Sequence, residues 1–173
     1  MWMGFAVGLL ASNAAEWFLH RRVLHELGRD KKGFWSFHWH EHHREARRNG
    51  FLDPHYQRSP LGWHSQGKEL AALVGVAAAV TPLWPLAPGF VLGSYFSAWR
   101  YYRLHKRAHL DPAWAREHLP WHYDHHMGPN QDANWCVTHP LWDHVMGTRI
   151  PYVGTERERQ DRARAAARDA VPA

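Results

Sequence analysis

The chain has 173 residues, with 21 Lys and Arg against 16 Asp and Glu, 16 His, 11 Trp and a single Cys. One cysteine excludes an internal disulfide framework and any four-thiolate zinc or iron–sulfur site, and an apolar fraction of 45% excludes disorder as the main state. The net charge of +5 invites a nucleic-acid reading, but the Lys and Arg fall in two blocks, ten from His20 to Glu69 and eleven from Arg100 onward, a pattern that reads as membrane topology with no nucleic acid as partner.

In chain order, Met1–Leu19 carries Glu16 as its only charge. It is an apolar helix without the basic start or cleavage signal of a secretory leader. Arg21, Arg22, Lys31 and Lys32 follow it, so the positive-inside rule puts His20–Glu69 in the cytoplasm. Leu70–Trp99 carries no charge and is interrupted at Thr81-Pro82, Pro85 and Pro88-Gly89. Proline ends helices, so two are expected, Leu70–Val80 and Phe90 onward. Each apolar arm is about 11 residues, about 17 Å, short of the roughly 30 Å hydrocarbon core. The hairpin therefore either reaches across by continuing into polar flanks, as Phe90–Tyr102 allows, or dips in and returns. The mean hydropathy of −0.57 fits a buried soluble hairpin, but the polar half of the chain dilutes that average, and Trp2, Trp84 and Trp99 sit where an interfacial belt would. The expected fold is all-α, an integral membrane helical protein with a cytoplasmic histidine-rich helical cap enclosing a two-metal site. Residues 1–154 form one domain, and 155–173 a charged, solvated tail without assigned function.

All sixteen histidines lie outside the two charge-poor segments. Eleven of them group in four boxes: His20 with His25, then His38, His40, His42 and His43, then His105 with His109, then His122, His125 and His126, the last box preceded by His118. Residues three or four apart share a helical face, so such boxes aim imidazoles at one point. His38 and His42 have that relation, whereas His40 points elsewhere. Ten or so imidazoles exceed what one ion accepts, which makes two ions the natural count. Imidazole suits iron, zinc, copper and nickel alike. Glu16, four residues before His20, is a candidate acceptor for a ligand N–H, as are Glu41, Asp124 and Asp143. Metal storage, pH sensing and nucleic-acid contact fit less well, because structured aromatic sequence separates the boxes.

The order H-x4-H, a box ending in His-His, H-x3-H and H-x2-H-H resembles the membrane fatty acid hydroxylase/sterol desaturase superfamily. The stretch from Asn134-Trp135 through Trp142-Asp143 to Gly147-Thr148 is similar to its closing segment. The resemblance covers Glu16 to Thr148. It implies metal ligands at His20, His25, His38, His42, His43, His105, His109, His122, His125 and His126. The family's second box is usually H-x2-H-H, which would need His at position 39, where this chain has Trp39. Either His38, at a spacing seen in alkane-hydroxylase-like relatives, or His40 is then the first ligand of that box, and His118 has no firm counterpart. The resemblance further implies O2-dependent hydroxylation or desaturation of a lipid C–H bond at two iron ions, with zinc able to replace them in purified protein. It implies a separate electron donor, of ferredoxin or cytochrome b5 type with its reductase, and a substrate drawn from the bilayer: fatty acyl, sterol-like or, given the short chain, carotenoid. Arg44, Arg47, Arg48, Lys106 and Arg107 form a basic face for such a donor or for anionic headgroups, or simply reflect positive-inside bias. Two other functions share the ligand set. One is a zinc-dependent membrane lipid hydrolase. The other is a metal-binding or transport protein, which the uncharged Leu70–Trp99 disfavours because transport needs ionisable groups at mid-membrane depth.

Overall fold

Four glycines decide how the longest helices meet. The computed structural model describes residues 1–169 and is helical, with no strand among them. Its α-helices, among those residues, are α1 (Trp2–Leu19), α2 (Arg44–Arg48), α3 (Ser65–Val80), α4 (Pro88–Leu110), α5 (Pro112–His118), α6 (Pro120–Met127), α7 (Leu141–Val145) and α8 (Glu156–Asp169). Gly4 and Gly8 on α1, and Gly89 and Gly93 on α4, recur four apart and leave one face of each helix without side chains. The backbones close into that gap. A Cβ on Gly8 would lie 2.4 Å from the Phe90 carbonyl oxygen, and one on Gly93 2.4 Å from that of Phe5. Because Met1 meets Gly89 and Gly8 meets Gly93, the two helices run parallel. Parallel packing delivers His20, just past the end of α1, and His105, near the end of α4, to the same end of the molecule.

The expected proline-broken hairpin is present, and its helices outrun their apolar arms: α3 starts five residues before Leu70, and α4 ends eleven beyond Trp99. The 3-10 turn Thr81–Leu83 and Pro88 at the start of α4 make the corner. No helix among the described residues is long and apolar enough to cross a membrane. Polar residues are the reason: α4 is about 34 Å long, but its last turns carry Arg100, Arg103, Lys106 and Arg107, and α1 carries Asn13 and Glu16. The continuation into polar flanks that the sequence required for reaching across is present in both hairpin helices. Trp2, Met3, Val7, Leu10, Val74, Leu86 and Trp99 are nonetheless exposed on this half.

The opposite half is built from short pieces started by proline. Asp111 accepts the Trp114 N–H (3.0 Å) at the start of α5, and Pro112 and Pro120 occupy the opening turns of α5 and α6. These breaks fold α6 back against the end of α4 over a core of Phe51, Ala108, Ala115, Leu119, Tyr123 and Tyr152. The charged tail is docked at its start. Glu158 is 2% exposed and accepts two hydrogen bonds from Arg116 (2.5 and 2.9 Å) and one from the Gly154 N–H (2.7 Å). Residues 170–173 of that tail lie outside the described residues.

Gly8→Ala is expected to destabilise the protein by about 1–3 kcal/mol, because the added methyl meets backbone that cannot yield. Gly75→Ala, where a Cβ meets nothing within 4 Å, is expected to leave stability unchanged or raise it by up to about 1 kcal/mol through helix propensity. Thermal unfolding of the pair in detergent checks both, and equal midpoints would contradict the glycine contact.

Candidate metal centre

Two of the four boxes are not α-helical. His20–Glu26 and Phe37–His43 are wound as π-helix, whose hydrogen bonds join residues five apart. Five residues then bring side chains back to one face, so His20 aligns with His25, and His38 with His43. The pairing expected for His38 was His42, four residues on, and the wider turn sends His42 elsewhere. On the ordinary α-helices the familiar spacing holds. His105 and His109 share a face of α4, and His122 and His126 share one of α6, with His125 turned the other way.

The result is two clusters, each drawn from three boxes. His20, His25, His38, His43 and His125 each place a ring nitrogen within 4.8 Å of the others, and His42, His105, His109 and His126 do the same. In the first cluster the Nε2 atoms of His20 and His38 are 2.9 Å apart, those of His25 and His43 3.1 Å, and those of His43 and His125 3.1 Å. His122 joins the second, its Nε2 3.1 Å from that of His109. All ten are at most 2% exposed. His40 stays outside, its Nε2 3.0 Å from the Arg29 carbonyl. His118 stacks on Trp114 and is exposed. His55 and His64 stack on each other, and His139 and His144 lie in the exposed approach to and within α7.

The ring tautomers follow from what each Nδ1 faces. A carbonyl oxygen only accepts, so Nδ1 must donate from His20 to Trp135 (2.5 Å), from His125 to Ala133 (2.7 Å) and from His109 to Phe51 (2.8 Å). His42 donates to Asp53 (2.8 Å), His105 to Glu69 (2.8 Å) and His43 to Gln131 (2.8 Å). Each of these six then presents a bare lone pair at Nε2. The His43 and His125 lone pairs face each other at 3.1 Å with no proton between them, and the Nε2 atoms of His42, His105 and His126 are buried without any partner. Unsatisfied buried nitrogens cost about 1–3 kcal/mol each, and protons do not relieve them. Burial, reinforced for most by neighbouring imidazoles, holds His25, His38, His43, His105, His109, His122, His125 and His126 well below the usual range and His20 at about 4. A transition-metal cation fits instead: two nitrogens at about 2.0–2.1 Å from one ion lie roughly 2.9–3.4 Å apart, the separation found here.

The loop after box four is shaped to deliver two of these carbonyls. Asn134 adopts φ +59°, a left-handed conformation that asparagine tolerates, and the carbonyls on either side of it, Ala133 and Trp135, meet His125 and His20. Its side chain bonds Ile150 twice (2.8 and 2.9 Å) and Arg149 (2.9 Å). Asp143 accepts the Trp135 and Cys136 N–H groups (2.8 and 2.9 Å). The four carboxylates expected to hold ligand N–H groups all act elsewhere. Glu16 binds the Val137 and Thr138 N–H groups and the Thr138 hydroxyl, Glu41 pairs with Lys68 (2.6 Å), Asp124 pairs with Arg149 (2.7 Å), and Asp143 caps the loop. Their places are taken by Asp53 and Glu69, distant from the boxes in sequence. Asp53 is held at about 2: burial works to raise it, but the His42 hydrogen bond and the His55 N–H outweigh that. The basic face is also partly spent, since Arg47 donates to the His126 and Gly128 carbonyls (2.5 and 3.1 Å) at the end of α6.

A cavity of about 810 Å³ lies between α1, α3 and α4, and reaches His20 and His38 of the first cluster. Small residues (Ala11, Ala15, Ala72, Gly75, Ser94, Ala98) open the space, and Phe34, Trp35 and Phe37 close one side.

Nine buried imidazoles with lowered proton affinity make acid a denaturant of the metal-free chain. Each binds its proton more readily unfolded, at about pH 6.5, so the stability each contributes is complete above that pH and is lost as pH falls, at up to about 1.4 kcal/mol per unit per group. Metal-stripped protein followed by tryptophan fluorescence is expected to unfold steeply between about pH 6.5 and 5. Persistence of the fold at pH 4 would contradict the buried, neutral array.

A family model described as fatty acid hydroxylase matches residues 5–148, which take in both clusters and the cavity helices. No curated protein and no solved structure gives a match. With its histidine clusters and this match, the chain belongs to the fatty acid hydroxylase family, oxidoreductases of the hydroxylase or desaturase type.

Proposed function

We propose that the protein is an O2-dependent hydroxylase, or desaturase, that acts on an unactivated C–H bond of a hydrophobic lipid at two iron ions. The observation that carries this reading is the continuity of the apolar cavity with His20 and His38: hydrocarbon admitted between the helices ends against the first cluster. His20, His25, His38, His43 and His125 would hold one ion, and His42, His105, His109, His122 and His126 the other. Bound iron supplies the redox chemistry with dioxygen, using two electrons from a separate ferredoxin- or cytochrome b5-type donor. The protein residues position and exclude. The carbonyls of Phe51, Ala133 and Trp135 and the carboxylates of Asp53 and Glu69 lock the imidazoles in ligating tautomers, while the alanine- and valine-lined walls keep water from the reacting carbon.

The exposed apolar side chains of α1, α3 and α4 support immersion of this half in a bilayer without a full crossing, the cavity then opening to lipid. Arg21, Arg22, Arg100 and Arg103 would mark the cytoplasmic boundary, with the clusters on that side. Arg44 and Arg48 are exposed beside Glu45 and would meet a donor or anionic headgroups.

His125→Ala and His126→Ala, one from each cluster, are each expected to lower iron content from about two per chain to about one and to abolish product, whereas His64→Ala and His144→Ala keep both. Metal analysis of protein expressed with iron and little zinc, together with mass spectrometry of oxygen-dependent lipid products, checks this. Full activity in His125→Ala, or a zinc-loaded preparation that hydrolyses a lipid ester without O2, would overturn it.

A further inference from the structure

Most aromatic rings that touch the ten clustered histidines are sealed inside. Trp135, Phe37, Phe51 and Tyr56 pack against them and are at most 3% exposed. Tyr101 is half-buried against His105, and it lines the cavity. Trp39 is also half-buried, but it lies outside the cavity lining. Its ring stacks on His43, with centroids 5.4 Å apart and 29° between the planes, and stands edge-on to His25 at 5.1 Å. The half-exposed Arg29 guanidinium lies over the same ring, 5.0 Å from its centroid, and is held by both oxygens of Asp132 (2.7 Å each). The turn after Arg29 exposes Lys31 and Lys32 against Asp30 alone, because Glu26 and Asp132 are paired with Arg22 and Arg29.

We propose that Trp39 is where electrons enter: a one-electron donor protein with an acidic face docks over Trp39, Arg29 and the Lys31-Lys32 turn, and its electron crosses the indole to the first cluster. This rests on the reading of the clusters as an iron site. In each encounter the donor loses one electron and one ferric ion gains it, so two encounters reduce both ions. No bond forms or breaks in the indole, which stays neutral. Tunnelling falls off exponentially with distance, and a protein donor has no closer approach by way of the cavity, since a space of about 810 Å³ suits a small molecule. Trp39 carries a conjugated ring from the surface into contact with two histidines of the cluster, so the donor has only to reach the indole. The cation over the ring fixes its place, and the lysines beside it favour an acidic partner. Substrate and donor then use separate faces, and a lipid in the cavity does not obstruct the donor.

The test follows, in stopped flow, the oxidation of a reduced, acidic [2Fe–2S] ferredoxin by the full-length, ferric iron-loaded protein in detergent. Reduced methyl viologen, small enough to approach from the cavity as well, serves as the parallel donor. Trp39→Leu is expected to lose most of the ferredoxin rate while keeping its iron content and its viologen rate. Trp39→Phe, which retains a ring, keeps most of both rates. Lys31→Glu combined with Lys32→Glu is expected to lower the second-order ferredoxin rate at low salt by about tenfold, without lowering the viologen rate. An unchanged ferredoxin rate in Trp39→Leu, or equal slowing with both donors, overturns the path. Should Trp39→Leu lose its iron, the lysine pair decides, and an unchanged ferredoxin rate there overturns the docking face. Metal that viologen fails to reduce in the unmodified protein overturns the iron reading together with this one. Iron reduced by both donors regardless of Trp39 overturns the path alone.

Discussion

Imidazole lone pairs that face one another across about 3 Å, buried and unprotonated, are the constraint on which the rest of this structure depends. Water would screen them and protons would bridge them, but burial excludes the first and makes the second unfavourable. Only a cation that several nitrogens share turns the repulsion into bonding. The second cluster shows the same need in another form, with the Nε2 atoms of His42, His105 and His126 buried and partnerless. An apolar core of equal volume would be simpler to fold, so the array makes sense as a binding device whose stability is coupled to its ligand.

Everything around the array serves to hold nitrogens in place. Six rings have their outer nitrogen fixed by an acceptor, three of them backbone carbonyls. Backbone acceptors are rigid because they belong to segments pinned elsewhere. Asn134 sits in a left-handed turn tied to Ile150 and Arg149, and Phe51 is held at φ +86°, an uncommon conformation for an aromatic residue. Phe51 stacks on His109 at a centroid distance of 4.4 Å while its carbonyl takes the same ring's Nδ1–H. That local strain is carried by a site that determines the residue twice. Farther away, the glycine contact between α1 and α4 sets their parallel course, and with it the meeting of boxes one and three. Catalytic geometry at one end thus depends on backbone approach at the other.

Much of this was legible in the chain before any coordinates. The charge-free Leu70–Trp99 with its prolines announced a helical hairpin, and the four boxes announced the ten histidines that the fold collects. The closing Asn-Trp, Trp-Asp and Gly-Thr were visible as a pattern, though their task was not: they shape the loop that offers two carbonyls to His20 and His125. Glu16 illustrates the difficulty. Its helical spacing to His20 is real, yet its oxygens turn to the loop N–H groups at Val137 and Thr138, which lie more than a hundred residues away in sequence. Asp53 and Glu69 carried no local signal beyond their position, Glu69 being the last charge before the apolar stretch. Three acceptors are carbonyls, which no side-chain motif can reveal.

The sequence by itself determined the inventory: helical class, an apolar half with proline corners, ten histidines in boxes, and a family pattern that implies oxidative chemistry. Tertiary structure alone decided the partition. Box spacing reads as one face of an α-helix, but the backbone of two boxes widens to π-turns, and that change of about one residue per turn assigns His38 and His43 to one cluster and His42 to the other. It also decided that no helix among the described residues is long and apolar enough to cross a membrane, because polar residues interrupt the longest ones, and that a cavity among them reaches the first cluster. Such outcomes depend on which backbone atoms approach from distant parts of the chain, and residue order does not state that.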